Sequence, residues 1–386
     1  MECTVQDVLQ RHFESYRASH DLPAYAIQSA YRLMTCRTAV LGGHKQLCPN
    51  GHVEGIWYNS CKHRACPQCR GLPAERWLQR QRERLLRCAH YHMVFTIPHD
   101  YIPLWLYNRS RIMSLLFTAA RDALFTFTND PRYLGATPGV LACFHSWGRD
   151  LAVHPHLHVL VTAGGLDARG EWVKPKRSHL VPTKPLMQVF QGKFNAGLRE
   201  LLSDLSLPPD RSERYWHNQI NRLGKHAKQW NVNIRERYDT GDGVVKYLAR
   251  YIRGGPFHNR QLLGMDEGQV RFRYYDHRLN ADGKRHHASV IHFSQAEFIR
   301  RCLVHVPEPG RHTVRQFGLY ACRQAEQLNR ARACHHQPAV LKTFTPIGWQ
   351  AYLARFGAQP TRQSCRVCQQ PMLTIKLERC RKHEPP

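Results

Sequence analysis

The chain has 386 residues, and its 56 Lys and Arg against 29 Asp and Glu give a formal net charge of +27. The hydrophobic fraction of 42% excludes a disordered basic protein and suffices for a sizeable core. A surface this positive favours a polyanionic partner, nucleic acid first, over small acidic ligands. Length alone predicts two or three domains.

Cysteine usage predicts metal binding rather than disulfide bonds. The first residues include acidic and polar side chains where a secretory signal needs an unbroken apolar run, and no segment is apolar enough to span a membrane. We therefore expect a cytoplasmic protein in a reducing compartment, with its 14 cysteines as thiols. Clustered thiols in such a compartment are typical metal ligands.

Hydrophobic spacing predicts helices and strands in mixed order. Asp242 is expected to cap one helix, and Ser294 with Glu297 has the spacing of a capping box. Helices are predicted at 1–35, 74–88, 103–127, 186–203, 243–252 and 294–306, and strands at 91–98, 139–148, 154–165, 269–278 and 286–293.

Two basic segments are candidate DNA contacts. The helix 74–88 alternates apolar residues with Arg and Gln, which fits an ordinary solvated face as well as a DNA-binding one. The stretch 207–238 carries Trp216, Trp230 and Tyr238 among many cations. We expect these aromatic rings to stack on exposed bases, which favours single strands and hairpins over plain duplex.

Two cysteine clusters predict two or three structural zinc ions. The tail has the spacing Cys365-x2-Cys368-x11-Cys380-x2-His383, whose two close pairs suit one tetrahedral ion. The N-terminal cluster has few aliphatic residues and needs metal to fold, and its favoured ligand set is Cys48, His52, Cys66 and Cys69. The alternatives left open are Cys61 in place of His52, or a second ion held by Cys36, His44, Cys61 and His63.

The run His154-Pro-His156-Leu-His158 is a candidate catalytic metal site. Alternation along a strand sends all three imidazoles to one face. They could be solvent-facing histidines of a half-exposed strand, but a pair of them is also a two-nitrogen ligand for a divalent metal.

The predicted helix 243–252 carries tyrosines and cations together. Tyr247 and Tyr251 lie four residues apart and so share a helix face. Such a pair usually belongs to a core, but Lys246, Arg250 and Arg253 are suited to holding DNA phosphates near a tyrosine hydroxyl.

Together these motifs resemble the HUH nuclease superfamily and, more closely, the rolling-circle insertion-sequence transposases of the IS91 type. The likeness covers nearly the whole chain, and its longest and most specific part is the run EFIRRCLVHVPEPGRHTVRQFGLYA. Its other motifs are SCKHRACPQC, HPHLHVLV and YLARYIR.

The resemblance implies the site residues and the reaction. His156 and His158 correspond to the metal-binding pair, with His145 or His154 as a third ligand, and Tyr247 and Tyr251 to the nucleophiles. It implies Mg²⁺ or Mn²⁺ at the site and cleavage of single-stranded or hairpin DNA at element ends through a 5′-phosphotyrosine, with transfer to target DNA. No nucleotide cofactor is expected, since the sequence has no P-loop.

The expected fold is an α+β nuclease core, an antiparallel ferredoxin- or RRM-like sheet with helices on one face, flanked by zinc modules. The expected domains are an N-terminal helix and zinc module at 1–75, the nuclease core at 76–310, a helical region at 311–359 and a zinc-ribbon-like tail at 360–386. Two other functions fit part of this pattern: a plasmid or phage replication initiator with the same chemistry, and a non-catalytic, zinc-stabilised nucleic-acid-binding protein.

Overall fold

The computed structural model describes residues 3–176, 179–225, 230–252, 255–266, 268–276, 287–341, 343–357 and 362–380, without the side chains of Glu236, Arg250, Tyr251, Ile252 and Asp276. No helix of this described part has the length and apolar character needed to cross a membrane.

The described chain confirms the α+β class with antiparallel sheets. Its helices are α1 (Val5–Ala18), α2 (Ala24–Met34), α3 (Gly71–Arg84), α4 (Ile102–Tyr107), α5 (Arg109–Thr128), α6 (Thr183–Leu201), α7 (Glu213–Lys225), α8 (Asp242–Ile252), α9 (Gln295–Val304), α10 (Ala325–Cys334) and α11 (Trp349–Ala354). Its strands are β1 (Gly43–Leu47), β2 (Val53–Tyr58), β3 (His90–Thr96), β4 (Gly139–Trp147), β5 (Val153–Thr162), β6 (Gly165–Leu166), β7 (Trp172–Val173), β8 (Asn231–Tyr238), β9 (Leu262–Asp266), β10 (Gln269–Asp276), β11 (His287–Ser294), β12 (Val314–Gly318) and β13 (Leu373–Leu377).

The central sheet has five antiparallel strands in the order β12-β4-β5-β3-β8. Because side chains alternate between the faces of a strand, Phe95, Phe144 and Leu157 join one apolar core with helices α4 to α7. Leu141 and Leu160 point to the opposite face, where they pack with α3, α8 and α10. Helices thus cover both faces of the central sheet, whereas helices on one face were expected. The reason is that the second face is also apolar over part of its area.

A second core lies among α1, α2, α9 and the sheet β9-β10-β11, with Phe13, Phe272 and Phe298 fully buried. The helix expected over 1–35 is two helices, because Pro23 fixes an extended backbone before α2.

At the start of α9 only half of the expected capping box forms: the Ser294 hydroxyl accepts from the Glu297 backbone N–H. The Glu297 carboxylate instead binds arginines of the same helix.

The basic segments serve the fold more than the sequence indicates. Trp216 and Trp230 are 0% and 3% exposed in the core beside α6, so the expectation that they stack on DNA bases is wrong. In α3, the Arg82 guanidinium lies 2.6 Å from the Asp242 carboxylate, and Arg84 donates to the Tyr320 carbonyl. These cations join α3 to α8 and to the segment after β12.

Two strands lie in sheets outside their expected domains. β12, beyond the expected boundary at residue 310, is an edge strand of the central sheet through its pairing with β4. β13, expected in a separate tail module, pairs with β1 in the sheet β13-β1-β2. Long-range strand pairing, which local sequence does not encode, sets both arrangements.

Candidate metal and tyrosine site

Three histidines meet on one face of the central sheet. His156 and His158 lie two positions apart on β5, on the same face of the strand. The antiparallel register sets His145 of β4 directly opposite His156. The three residues are between 4% and 8% exposed, and one ring nitrogen from each lies within 4.8 Å of the others. The neighbouring strand therefore brings in His145. His154 lies outside this group, and its Nδ1 is 3.2 Å from His99 Nε2.

The hydrogen bonds of the two β5 histidines orient them as ligands. His156 Nδ1 lies 2.6 Å from the His154 carbonyl, which can only accept, so Nδ1 carries the proton and Nε2 a lone pair. His158 Nδ1 lies 2.9 Å from His92 Nε2. In the tautomer in which His158 Nδ1–H is the donor, His158 Nε2 also keeps a lone pair. The two Nε2 atoms face each other at 3.2 Å.

This donor set fits a divalent cation. Two nitrogens about 2.1 Å from one ion and at right angles to each other lie about 3 Å apart. Facing lone pairs repel without a cation between them, and second contacts of the kind made by His154 and His92 are typical of metal-bound histidines. His156, His158 and His145 would hold the ion.

Burial keeps these histidines neutral. It lowers the pKa of His156 to about 3, and those of His145 and His158 lie well below the ordinary value because burial and the neighbouring imidazoles both disfavour the charged form. Neutral imidazole is the form that binds metals.

α8 brings Tyr247 to the histidines. Val244, Val245 and Leu248 are buried against the histidine-bearing face of the sheet, and the Asp242 carboxylate at the helix start holds Arg82 of α3. The Tyr247 ring is 39% exposed, with its centroid 5.7 Å from that of His158. Its hydroxyl-bearing ring is therefore both beside the group and accessible from solvent.

The other residues predicted on this helix are described only in part. Lys246 is exposed, and its ammonium lies 2.8 Å from the Asp242 carboxylate. Tyr251 lies one helical turn after Tyr247, but its side chain and that of Arg250 lie outside the description. Arg253 lies wholly outside the described residues.

His92 of β3 is a site residue that sequence reasoning missed. Besides its contact with His158, its ring centroid lies 6.4 Å from that of Tyr247. The signal available in the sequence was the spacing of His90 and His92 at the start of the strand predicted over 91–98, because residues two apart on a strand share a face. His90 is fully buried near this face, between the Cys88 carbonyl at 2.8 Å and the Tyr320 hydroxyl at 2.7 Å.

α9 secures the turn that joins the two histidine strands. Leu151 in this turn has a φ of 61°, a left-handed conformation unusual for a bulky residue. The His305 Nε2–H donates to the Leu151 carbonyl and Arg301 to the Asp150 carbonyl, while the Ser146 hydroxyl donates to His305 Nδ1. Arg301 and His305 belong to the long motif that carried the family resemblance, so part of that motif positions β4 and β5.

The cysteines form two groups that differ from the favoured set. Cys36, Cys61, Cys66 and Cys69 make one group, with ligand atoms within 4.8 Å of one another. Hydrogen bonds from the neighbouring thiols, Cys36 first, hold the pKa of Cys69 far below its usual value, which favours a thiolate. Four sulfurs at these separations fit tetrahedral zinc.

The second group joins Cys48 and His52 to Cys365 and Cys368. The structure thus does not bring Cys48 and His52 together with Cys66 and Cys69. His44 is exposed on β1, and His63 contacts the Ser29 hydroxyl at 3.2 Å. Neither residue joins a metal group within the described chain. Cys380 is exposed outside both groups, and His383 lies outside the described residues.

Comparisons with known proteins show two family matches along this chain. Residues 139–327, which include His145, His156, His158 and Tyr247, match the family described as "Putative transposase", and residues 8–97 match "Transposase zinc-binding domain". No solved structure matches the chain.

Two curated relatives extend the match. "Putative transposase y4qJ" of Sinorhizobium fredii is 33% identical over 97% of this chain and 95% of its own length. The "Transposase for insertion sequence element IS801" of Pseudomonas savastanoi pv. phaseolicola is 30% identical over 78% of this chain and 72% of its own length. The chain therefore belongs to the IS91-type transposase family, and its residues 8–97 form the zinc-binding domain of that family.

Proposed function

We propose that this transposase cleaves and rejoins single-stranded DNA at the ends of an insertion sequence by tyrosine attack, with Tyr247 as the first nucleophile. The observation that carries the proposal is the Tyr247 ring, 39% exposed and 5.7 Å from His158, which itself belongs to a group of three buried histidines. A non-catalytic binding protein gives no reason for this juxtaposition.

In the proposed step, the Tyr247 hydroxyl oxygen attacks the scissile phosphorus. A bond from phosphorus to tyrosine forms as the bond to the 3′ oxygen breaks; the phenol loses its proton and the 3′ oxygen gains one. The products are a 5′-phosphotyrosine and a free 3′-hydroxyl. A Mg²⁺ or Mn²⁺ ion on His145, His156 and His158 would supply positive charge that polarises the phosphate and stabilises the leaving oxygen.

Tyr251 would act as a second nucleophile. While Tyr247 holds the first strand end, Tyr251 cleaves a second position, and the free 3′-hydroxyl then attacks a phosphotyrosine to join donor and target. The bond energy stays in the tyrosine ester, so the reaction needs no nucleotide. Lys246, Arg250 and Arg253 would hold neighbouring phosphates.

The net charge of +27 supports a DNA substrate. Counterion release from phosphates makes the binding steeply dependent on salt. We propose that the substrate is single-stranded or hairpin DNA from the element ends together with target DNA. A replication initiator of the same superfamily would use the same chemistry on a replication origin, but both curated relatives are called transposases.

A cleavage assay tests the proposal. A labelled single strand from an element end, incubated with Mn²⁺, should give a covalent adduct that survives denaturing electrophoresis. We expect Tyr247→Phe to lose this adduct, Tyr251→Phe to keep it but fail in strand transfer, and Tyr107→Phe, an exposed tyrosine of α4, to behave as the unmodified protein. An adduct formed by the Tyr247→Phe, Tyr251→Phe double variant would refute the assignment.

A further inference from the structure

We propose that the C-terminal tail supplies half of a zinc site whose other half lies in the N-terminal module, so that one Zn²⁺ ties residues 48–52 to residues 365–368. The family match to a zinc-binding domain ends at residue 97 and assigns no ligand in the tail. The inference is independent of the proposed tyrosine chemistry.

Strand register brings the two halves together. β13 pairs antiparallel with β1, and Leu47 lies opposite Leu373 at the end of both strands. Cys48 follows Leu47, and Cys368 lies in the turn shortly before Leu373. The hairpin between β1 and β2 and the turn before β13 therefore meet at the same end of the sheet.

The ligand atoms have the separations that zinc requires. A tetrahedral ion with bonds of about 2.3 Å to sulfur and 2.0 Å to nitrogen sets two sulfurs about 3.8 Å apart and a sulfur and a nitrogen about 3.5 Å apart. Here Cys48 Sγ lies 3.6 Å from Cys368 Sγ and 3.4 Å from His52 Nδ1. Cys365 Sγ lies 3.8 Å from His52 Nδ1.

Both ligand pairs lie in tight turns of the kind that forms zinc knuckles. In the first turn the Cys48 backbone N–H donates to the His52 carbonyl, and Gly51 has a φ of 80°. In the second, the Cys365 backbone N–H donates to the Gln370 carbonyl, and the Val367 N–H lies 3.4 Å from Cys365 Sγ. The two turns thus hold their four ligand atoms within 4.8 Å of one another.

Hydrogen bonds and ion pairs near the four ligands also join the C-terminal tail to the N-terminal module. The Gln46 side-chain amide donates to the Arg362 carbonyl at 2.7 Å, and the Arg362 backbone N–H donates back to the Gln46 amide oxygen at 3.2 Å. Glu54 of β2 pairs with Arg362 at 3.1 Å and with Arg366 at 2.9 Å. All four contacts cross between segments more than 300 positions apart in the chain.

The tail buries little apolar surface of its own. Leu373 and Ile375 are 54% and 49% exposed, and Cys365 is the buried apolar residue of the described part of the tail. A segment that buries so little apolar surface needs a metal to stay folded. The ion thus fixes β13 onto the N-terminal module.

Zinc content of full-length variants tests the proposal. Cys48→Ser and Cys365→Ser should each lose one zinc equivalent relative to the unmodified protein, and the Cys48→Ser, Cys365→Ser double variant should lose that same single equivalent. Pairing Cys365→Ser with Cys66→Ser, a change in the other cysteine group, should lose two. Cys380→Ser is the matched control in the tail and should lose none.

Two results would overturn the proposal. Loss of two zinc equivalents in the Cys48→Ser, Cys365→Ser double variant would mean that the two cysteines bind different ions. Loss of one zinc equivalent in Cys380→Ser would indicate a zinc site contained within the tail. Amide hydrogen exchange gives a second measurement that tolerates partial unfolding. Exchange in 373–377 should accelerate as much in Cys48→Ser as in Cys365→Ser, and unchanged exchange in Cys48→Ser would contradict the shared site.

Discussion

The histidine group and the cysteine groups are both metal-ligand clusters, but they depend on the fold in opposite ways. His145, His156 and His158 lie on adjacent strands of a sheet that has a large apolar core behind it. The cysteine ligands lie in turns and loops, and Cys48 meets Cys368 across 320 positions of the chain. We therefore expect the first site to form without metal, because its strands have an apolar core behind them, and the second site to need metal to complete its fold.

The largest expected effect comes from removing a ligand of the four-cysteine group. We expect Cys66→Ser to release its zinc and unfold the N-terminal module, since a structural zinc contributes on the order of 10 kcal/mol to folding in zinc-finger peptides. Limited proteolysis and zinc analysis measure this. Cys334→Ser, an exposed thiol, is the control. Full zinc content in Cys66→Ser would show that the cysteine group does not depend on this ligand, and the contrast with the histidine group would fail.

Removing a histidine of the sheet site should abolish activity but leave the protein folded, unlike the loss of a zinc ligand. We expect His158→Ala to reduce DNA cleavage by about 10³-fold or more, about 4 kcal/mol in the transition state. DNA binding and the melting temperature should change little, because the strand keeps its apolar packing. Unfolding of His158→Ala with loss of bound metal would show that this site, too, depends on its ion.

His92 sharpens the comparison within the histidine region. His92 Nε2 lies 2.9 Å from His158 Nδ1, and His92 is not one of the three grouped histidines. If it accepts from His158 and so orients that ligand, His92→Ala should raise the Mn²⁺ concentration needed for half-maximal cleavage by about 10- to 100-fold. The rate at saturating Mn²⁺ should fall much less. His92→Gln, which keeps an acceptor, should restore part of the metal affinity. An unchanged Mn²⁺ dependence in His92→Ala would exclude a positioning role.

The last expected effect is a pH dependence of the free energy of unfolding that comes from His90. Burial lowers the pKa of His90 to about 4, below its ordinary value of 6.5. Its contribution is therefore complete above pH 6.5 and is lost as the pH falls towards 4, by about 1.4 kcal/mol per pH unit. Urea unfolding of His90→Gln between pH 7 and 4.5 should show a shallower slope than the unmodified protein. Equal slopes would mean that His90 is protonated alike in both states.

The sequence by itself determined the local features of this protein. Alternation placed His156 and His158 on one face of a strand, helical spacing defined the helix that carries Tyr247, and the pairs Cys66-x2-Cys69 and Cys365-x2-Cys368 indicated zinc. These features follow from the repeat of the strand, the repeat of the helix and the reach of a tight turn, all of which act within a few residues.

Only the tertiary structure decided which of these features meet. The register of β4 against β5 sets His145 beside His156, the pairing of β3 adds His92, and the pairing of β13 with β1 gives Cys48 and His52 partners in the tail. Local spacing could not rank these partners, because strands far apart in the chain take their register from burial of the whole sheet face. Packing of distant elements into one core likewise buries Trp216 and Trp230, although the local sequence places them among cations as on a surface.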